Sequence, residues 1–166
     1  MAAFPPAMHP SFEQKICAPD SIARRVESAD RPLVFTNGVF DILHRGHATY
    51  LAAARALGAS LLVGLNSDAS VRRLGKGPER PLNALQDRMA VVAALESVAL
   101  VTWFDEDTPL DVILKCRPDV LVKGGDWPVD KIVGAREVLG WGGRVHSIAF
   151  QFERSTTQLL SKIRNS

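Results

Sequence analysis

Five apolar runs of strand length recur along the chain, each followed by a stretch with helical spacing. The runs are "LVF" from Leu33, "SLLVGL" from Ser60, "ALVTWF" from Ala99, "DVLVK" from Asp119 and "RVHSI" from Arg144. Apolar residues on consecutive positions mean a strand buried on both faces, and strand–helix alternation supplies the cover. The expected fold is therefore α/β: a Rossmann-like, parallel five-stranded sheet with helices on both faces. In such sheets ligands bind beyond the carboxyl ends of the strands, where the strand order reverses.

The intervening segments carry helix signals. "HATYLAAARALG" sets Tyr50, Leu51, Ala54 and Leu57 on one stripe and stops at Gly58. "NALQDRMAVVAALESV" opens on Asn83 as a cap, and Thr108 before Pro109 is the favoured order of cap and first-turn proline. "DKIVGAREVLG" and "STTQLLSKIRNS" complete the set. Ahead of the first strand, "APDSIARRVESADRP" predicts a short helix with Asp20 at its cap and Ile22, Ala23 and Val26 inward. Residues 1–30 are read as a leader, poorly ordered to about Pro10, plus that helix; residues 31–166 are read as one domain.

The 166 residues carry a formal charge of +2, without the basic blocks that duplex nucleic-acid binding needs. No nucleic-acid partner is expected. Cys17 and Cys116 are the only cysteines and form no C-x-x-C, which fits a reducing cytoplasm better than a disulfide or thiolate-metal framework. Nothing approaches the roughly 20 apolar residues of a membrane span, and no signal-peptide pattern opens the chain.

The stretch "FTNGVFDILHRGH", Phe35 to His47, ends the first strand and starts a helix. Backbone N–H groups at such a turn favour an anion. His44 and His47, three apart, can add two donors on one side, and Gly46 between them allows close approach of a ligand. A bare H-x-x-H more often marks surface or capping histidines, and a zinc site lacks further ligands. There is no Walker motif, and "GKGPER" at Gly75 fails the dinucleotide fingerprint. "VRRLGKGPERPLN", Val71 to Asn83, reads as a long surface loop, either a solvated connection or a cationic flap over a phosphate ligand. The acidic "DED" of Asp105 to Asp107 is read as favourable charge at a helix N-terminus, and Trp127 as core.

"GVFDILHRGH" resembles the G-x-F-D-x-x-H-x-G-H signature of the cytidylyltransferase-like nucleotidyltransferase superfamily. "LVKGGDW", Leu121 to Trp127, resembles its V-K-G-x-D-W segment, and "RSTTQLL", from Arg154, its C-terminal S-T-T motif. The resemblance runs from about Leu33 to Arg164 and is greatest to the branch that adenylylates a heptose 1-phosphate. One departure stands out: glycerol-phosphate members place an arginine five positions before the serine, where this chain has Phe150.

The resemblance implies transfer of AMP from ATP, carried with Mg²⁺, to a sugar 1-phosphate, with release of pyrophosphate. It implies His44, His47 and Lys76 at the reacting phosphates. For the nucleotide it implies Thr36, Asn37, Gly38, Phe40, Asp41 and Gly46, then Lys123, Gly124, Gly125 and Asp126, and finally Arg154, Ser155, Thr156 and Thr157. Arg72, Arg73, Arg80 and Arg88 are candidates for the sugar phosphate, Arg88 above all because a helix holds it. Asp41 is expected to fix the loop or to hold a metal-bound water. A homodimer is expected by resemblance alone. Competing readings are a CTP-dependent glycerol-phosphate enzyme and a nucleotide-binding regulator without turnover.

Overall fold

The apolar runs form one sheet of five parallel strands. In this computed structural model, which describes residues 10–75, 77, 79–152 and 163, the strands are β1 (Leu33–Gly38), β2 (Ser60–Asn66), β3 (Leu100–Phe104), β4 (Val120–Gly124) and β5 (Arg144–Ile148). Their spatial order is β3-β2-β1-β4-β5. β1 pairs with β2 along its length, Leu33 opposite Ser60 through Gly38 opposite Leu65, and with β4 on its other side. The order reverses between β1 and β4, so a crevice is expected at Gly38 and Gly124.

Side chains alternate across a strand, and both faces are covered. Val34, Leu61, Val63, Val101 and Val122 face one layer, where α2 (Arg45–Arg55) and α4 (Leu85–Ala93) pack with Tyr50, Leu51, Met89 and Val92. Leu33, Phe35, Leu62 and Leu121 face the other. There α1 (Ile22–Glu27), α5 (Leu110–Cys116) and α6 (Ala135–Gly140) contribute Ile22, Val26, Ile113 and Val138. This is the expected double cover.

Some boundaries differ from expectation. The stretch Val71 to Asn83 is not all loop, because α3 (Asp68–Arg73) runs into it from a Ser67 cap whose hydroxyl accepts from Ser70 N at 3.0 Å. Asn83 does not cap α4; Ala84 occupies that position, and Asn83 bonds elsewhere. Likewise Pro109, not Thr108, precedes α5. Most of the "STTQLLSKIRNS" helix lies outside the described residues.

The edge strand β3 is covered by the N-terminal segment. After a 3₁₀ turn over Ser11–Lys15, Ile16 bridges Val101 in parallel, and Cys17 N donates to Val101 O at 2.9 Å. Lys15 Nζ donates to Ala93 O (2.9 Å) and Leu95 O (3.2 Å), carbonyls at the end of α4 where a cation is favoured. An exposed edge is thereby paired rather than left open.

Gly58 ends the α2 turn against β1, and a Cβ there would lie 2.4 Å from Pro32 O and 2.6 Å from Val34 Cγ2. Backbone cannot yield as a flexible side chain does. Gly58→Ala should therefore cost about 2 kcal/mol or more, the scale of core overpacking, read as a lower urea midpoint at unchanged slope.

Candidate active site

Two sets of side chains converge at the carboxyl ends of β1 and β4. The first lies at the N-terminus of α2. His44 is the residue before the helix, with extended backbone (φ −143°, ψ 172°), and its carbonyl accepts from His47 N at 3.0 Å. This turn puts the two imidazoles face to face, centroids 3.8 Å apart and planes 22° from parallel. Gly46 is needed beneath them, since a Cβ there would sit 3.0 Å from the His44 ring and 3.2 Å from Phe152 O. Phe40, in the left-handed region at φ 49°, sets its ring edge-on to His47 at 5.3 Å.

Burial, followed by the neighbouring His44, pulls the His47 pKa down from 6.5 to about 4. At neutral pH His47 is an uncharged imidazole that can donate one hydrogen bond. Stacked rings this close could not both be charged without repulsion.

Asp41 is nearly inaccessible, and its carboxylate is already engaged. It accepts from Leu82 N (2.9 and 3.0 Å) and Asn83 N (2.9 Å), while Arg80 Nε lies 3.2 Å from Oδ2. Asn83 Nδ2 returns a bond to Asp41 O at 2.5 Å. Of its two expected roles, the geometry displays loop fixation: the exit of the cationic loop is pinned to the histidine turn.

Arg88 requires a correction. It is only 1% exposed, and four donor contacts are spent on the protein: Nε to Asn83 O (3.0 Å), Nη1 to Val39 O (2.7 Å), and Nη2 to Asn66 O (2.9 Å) and Asp68 Oδ1 (2.7 Å). A bidentate grip on phosphate needs two adjacent free donors, which this guanidinium does not offer. Arg88 is a positioning residue. Arg73 is likewise turned to the protein, with Nε on Asp107 Oδ1 at 2.7 Å. Arg72 is exposed. Arg80 differs, because it is buried and its Nε and Nη1 have no hydrogen-bond partner among the described residues.

Thr36 is fully buried, its hydroxyl 2.6 Å from that of Tyr50, so it sits beneath the site rather than facing a ligand. Burial raises the Tyr50 phenol to about 12, which keeps it neutral. Gly124 does not leave an open face for ribose or base: a Cβ there would meet Phe150 Cζ at 2.6 Å. Phe150 takes the place of the glycerol-branch arginine and packs on Tyr50, centroids 5.4 Å apart. Two residues on, the Arg45 guanidinium lies 3.9 Å over the Phe152 ring, next to the histidine turn. Lys76, Arg154, Ser155, Thr156 and Thr157 lie outside the described residues.

The second set surrounds a cavity of about 300 Å³. Asn37 and Gly38 from β1, Asn66 from β2 and Lys123 from β4 line it at the strand ends. Asp107, Thr108, Trp127 and Lys131, none of them assigned from sequence to a site, line it further out. Trp127 is 50% exposed and not core, because its neighbours turn outward after β4. Gly125, at φ 108°, makes that turn, and a Cβ there would meet Trp127 Nε1 at 2.9 Å. The carboxyl-end rule could have found these residues, since each follows a strand. Among the described residues, no three His, Cys, Asp or Glu converge as metal ligands, and no helix is long and apolar enough to cross a membrane.

The cytidylyltransferase-like family profile matches residues 35–161, a span that holds the histidine turn and both strand ends of the crevice. The chain belongs to the cytidylyltransferase-like family. Within it, the chain is 57% identical over 155 residues to a D-beta-D-heptose 1-phosphate adenylyltransferase of Bordetella bronchiseptica, covering 92% of this chain and 96% of that one. It is 51% identical over 152 residues to the bifunctional protein HldE of Methylobacillus flagellatus, of which it spans only 31%. A lipopolysaccharide core biosynthesis protein from Thermoplasma volcanium superposes with TM-score 0.59 at 27% identity, over 74% of this chain and 98% of that one. A pantoate-beta-alanine ligase from Francisella tularensis, at 14% identity and TM-score 0.60 over 91% of this chain and 78% of that one, shares the fold alone. The alternation of strands and the parallel cytidylyltransferase-like sheet are thus as expected.

Two measurements test this geometry. In the free protein, NMR should find the His47 imidazole titrating near pH 4. Its folded pKa is depressed, so the unfolded chain takes the proton first; the His47 contribution to stability is complete above about pH 6.5 and is lost as pH falls toward 4. Asp41→Asn removes the charge opposite buried Arg80 and should destabilise the fold by about 3 kcal/mol in chemical denaturation.

Proposed function

We propose that this chain transfers AMP from ATP to the 1-phosphate of D-glycero-β-D-manno-heptose, releasing pyrophosphate and leaving ADP-heptose for the inner core of lipopolysaccharide. The observation that carries the reading is the 57% identity, across nearly the whole of both chains, to a D-beta-D-heptose 1-phosphate adenylyltransferase. The stacked, half-buried histidines at a helix start suit it, because imidazoles can donate to a triphosphate without acting as nucleophiles.

A phosphate monoester loses its second proton near pH ~6, so the sugar phosphate is mostly dianionic at neutral pH and needs no strong base. Its oxygen attacks the α-phosphorus in line, the bond to the β-phosphate oxygen breaks, and the electron pair leaves with pyrophosphate. What the protein supplies is position and compensation for the charge that builds at the α-phosphoryl group and leaving oxygen. In this reading His44 and His47 donate there, Lys76 adds a cation, and Arg154 with Ser155, Thr156 and Thr157 holds the β/γ end. Arg80, buried with its Nε beside Asp41 and its Nη1 without a hydrogen-bond partner among the described residues, is the arginine best suited to the acceptor phosphate.

Mg²⁺ enters as part of the MgATP substrate. The described carboxylates do not assemble a protein cage for it, and a magnesium ion held chiefly by substrate phosphates needs none. A cytoplasmic location and a homodimer belong to the same proposal, the latter readable by sedimentation.

Pyrophosphate release should be measured with ATP and CTP crossed against heptose 1-phosphate and glycerol 3-phosphate. Turnover is expected for ATP with heptose 1-phosphate, and His44→Ala or His47→Ala should each lower kcat by about 10²- to 10³-fold, the cost of one transition-state donor. Turnover with CTP and glycerol 3-phosphate would move the substrate. Nucleotide binding without turnover in any pairing would favour a regulator.

A further inference from the structure

The cavity at the strand ends is not where the histidines are. α2, which carries them, packs on the sheet face of Val34 and Val63, whereas the α5 and α6 segments pack on the face of Phe35 and Leu121. The cavity opens between the starts of those two segments, with Asp107, Thr108 and Pro109 on one side and Trp127, Lys131 and Val133 on the other. β1 is common to both, because Asn37 and Gly38 line the cavity and the chain then continues directly into the histidine turn. A molecule with its phosphate at the histidines and its body laid across Asn37 and Gly38 would fill this recess.

The lining has a definite chemistry. Trp127 is half exposed, and its backbone N–H is fixed by Ser147 Oγ at 3.0 Å. Asp107 is held by Arg73 Nε at 2.7 Å through Oδ1. Two side-chain amides, Asn37 and Asn66, together with Thr108, Lys123 and Lys131, complete the polar groups around an apolar indole. A pyranose has this pattern in reverse: a C–H face that lies on an aromatic ring and hydroxyls at its edge that donate to carboxylate and amide oxygens.

We propose that this recess seats the sugar ring of the acceptor, with Trp127 as its stacking wall and Asp107 accepting from its hydroxyls, so that both residues determine acceptor specificity. The inference rests on the adenylyltransferase reading and adds the position of the acceptor to it. It also gives the acidic segment after β3 a role beyond a helix start. Because Arg73 ends α3 and leads into the cationic loop, a sugar on Asp107 would sit next to the anchor of that loop.

The test uses the full chain and two readouts. Tryptophan emission is followed during titration with heptose 1-phosphate alone, and separately with a non-hydrolysable ATP analogue, in wild type and Trp127→Phe; thermal melts check that the variant is folded. Sugar phosphate should change the emission of the wild type and not of the variant. In steady-state kinetics, Trp127→Ala and Asp107→Asn should raise KM for the sugar phosphate about 5- to 10-fold, with KM for ATP within about twofold, the range of one aromatic or hydrogen-bond contact. Emission that answers to the ATP analogue instead, a raised KM for ATP alone, or an unchanged KM for sugar phosphate in both variants would overturn the assignment. Failure of the parent reading looks different: wild-type protein that makes no ADP-heptose at all.

Discussion

The buried guanidinium of Arg88 is the interaction on which the site depends. Its bonds reach Val39 in the turn after β1, Asn66 at the end of β2, Asp68 at the start of α3 and Asn83 at the exit of the cationic loop. These four points lie in segments separated by up to forty-odd positions, and of them only Asn66 belongs to the sheet ladder. A single planar group with fixed donor directions aligns them. Removing it would leave several carbonyls and a carboxylate without their donor, at a cost well above that of a surface pair.

Asp41 gives the same loop exit a second anchor from the histidine side, through Leu82, Asn83 and Arg80. The turn that carries His44 and His47 is therefore tied through Asp41 to the loop exit at Arg80, Leu82 and Asn83 before any ligand arrives. Preorganisation of this kind matters more than basicity in phosphoryl transfer, since there is little proton chemistry for the protein to perform. A neutral His47 agrees with that division of labour.

The sheet was legible in the sequence because its strands are apolar on both faces, a pattern that survives without knowledge of neighbours. β5 begins and ends where "RVHSI" does. α3 was hidden because six residues, "DASVRR", bury only Ser70 and Val71 and so carry almost no periodicity. The histidine turn could be read as a phosphate cradle from spacing and resemblance. The partners of Arg88 could not, because a charged residue on a helix shows its chemistry in sequence and its neighbours only in the fold. Trp127 went astray for the opposite reason: a lone indole is usually buried, and the outward turn at Gly125 that exposes it depends on a backbone angle. Asp107 and Lys131 are ordinary surface charges until β3 and β4 bring them to one cavity.

In the proposed reaction the protein positions two polyanions and forms no covalent bond to the transferred AMP. The most direct test of that claim is stereochemical: run the reaction with one diastereomer of ATP carrying sulfur on the α-phosphorus, and determine the configuration of the ADP-heptose product by phosphorus NMR. A single in-line attack by the sugar phosphate inverts the α-phosphorus, and inversion is the predicted result. Retention would require two displacements through an AMP-bearing side chain and would contradict the account.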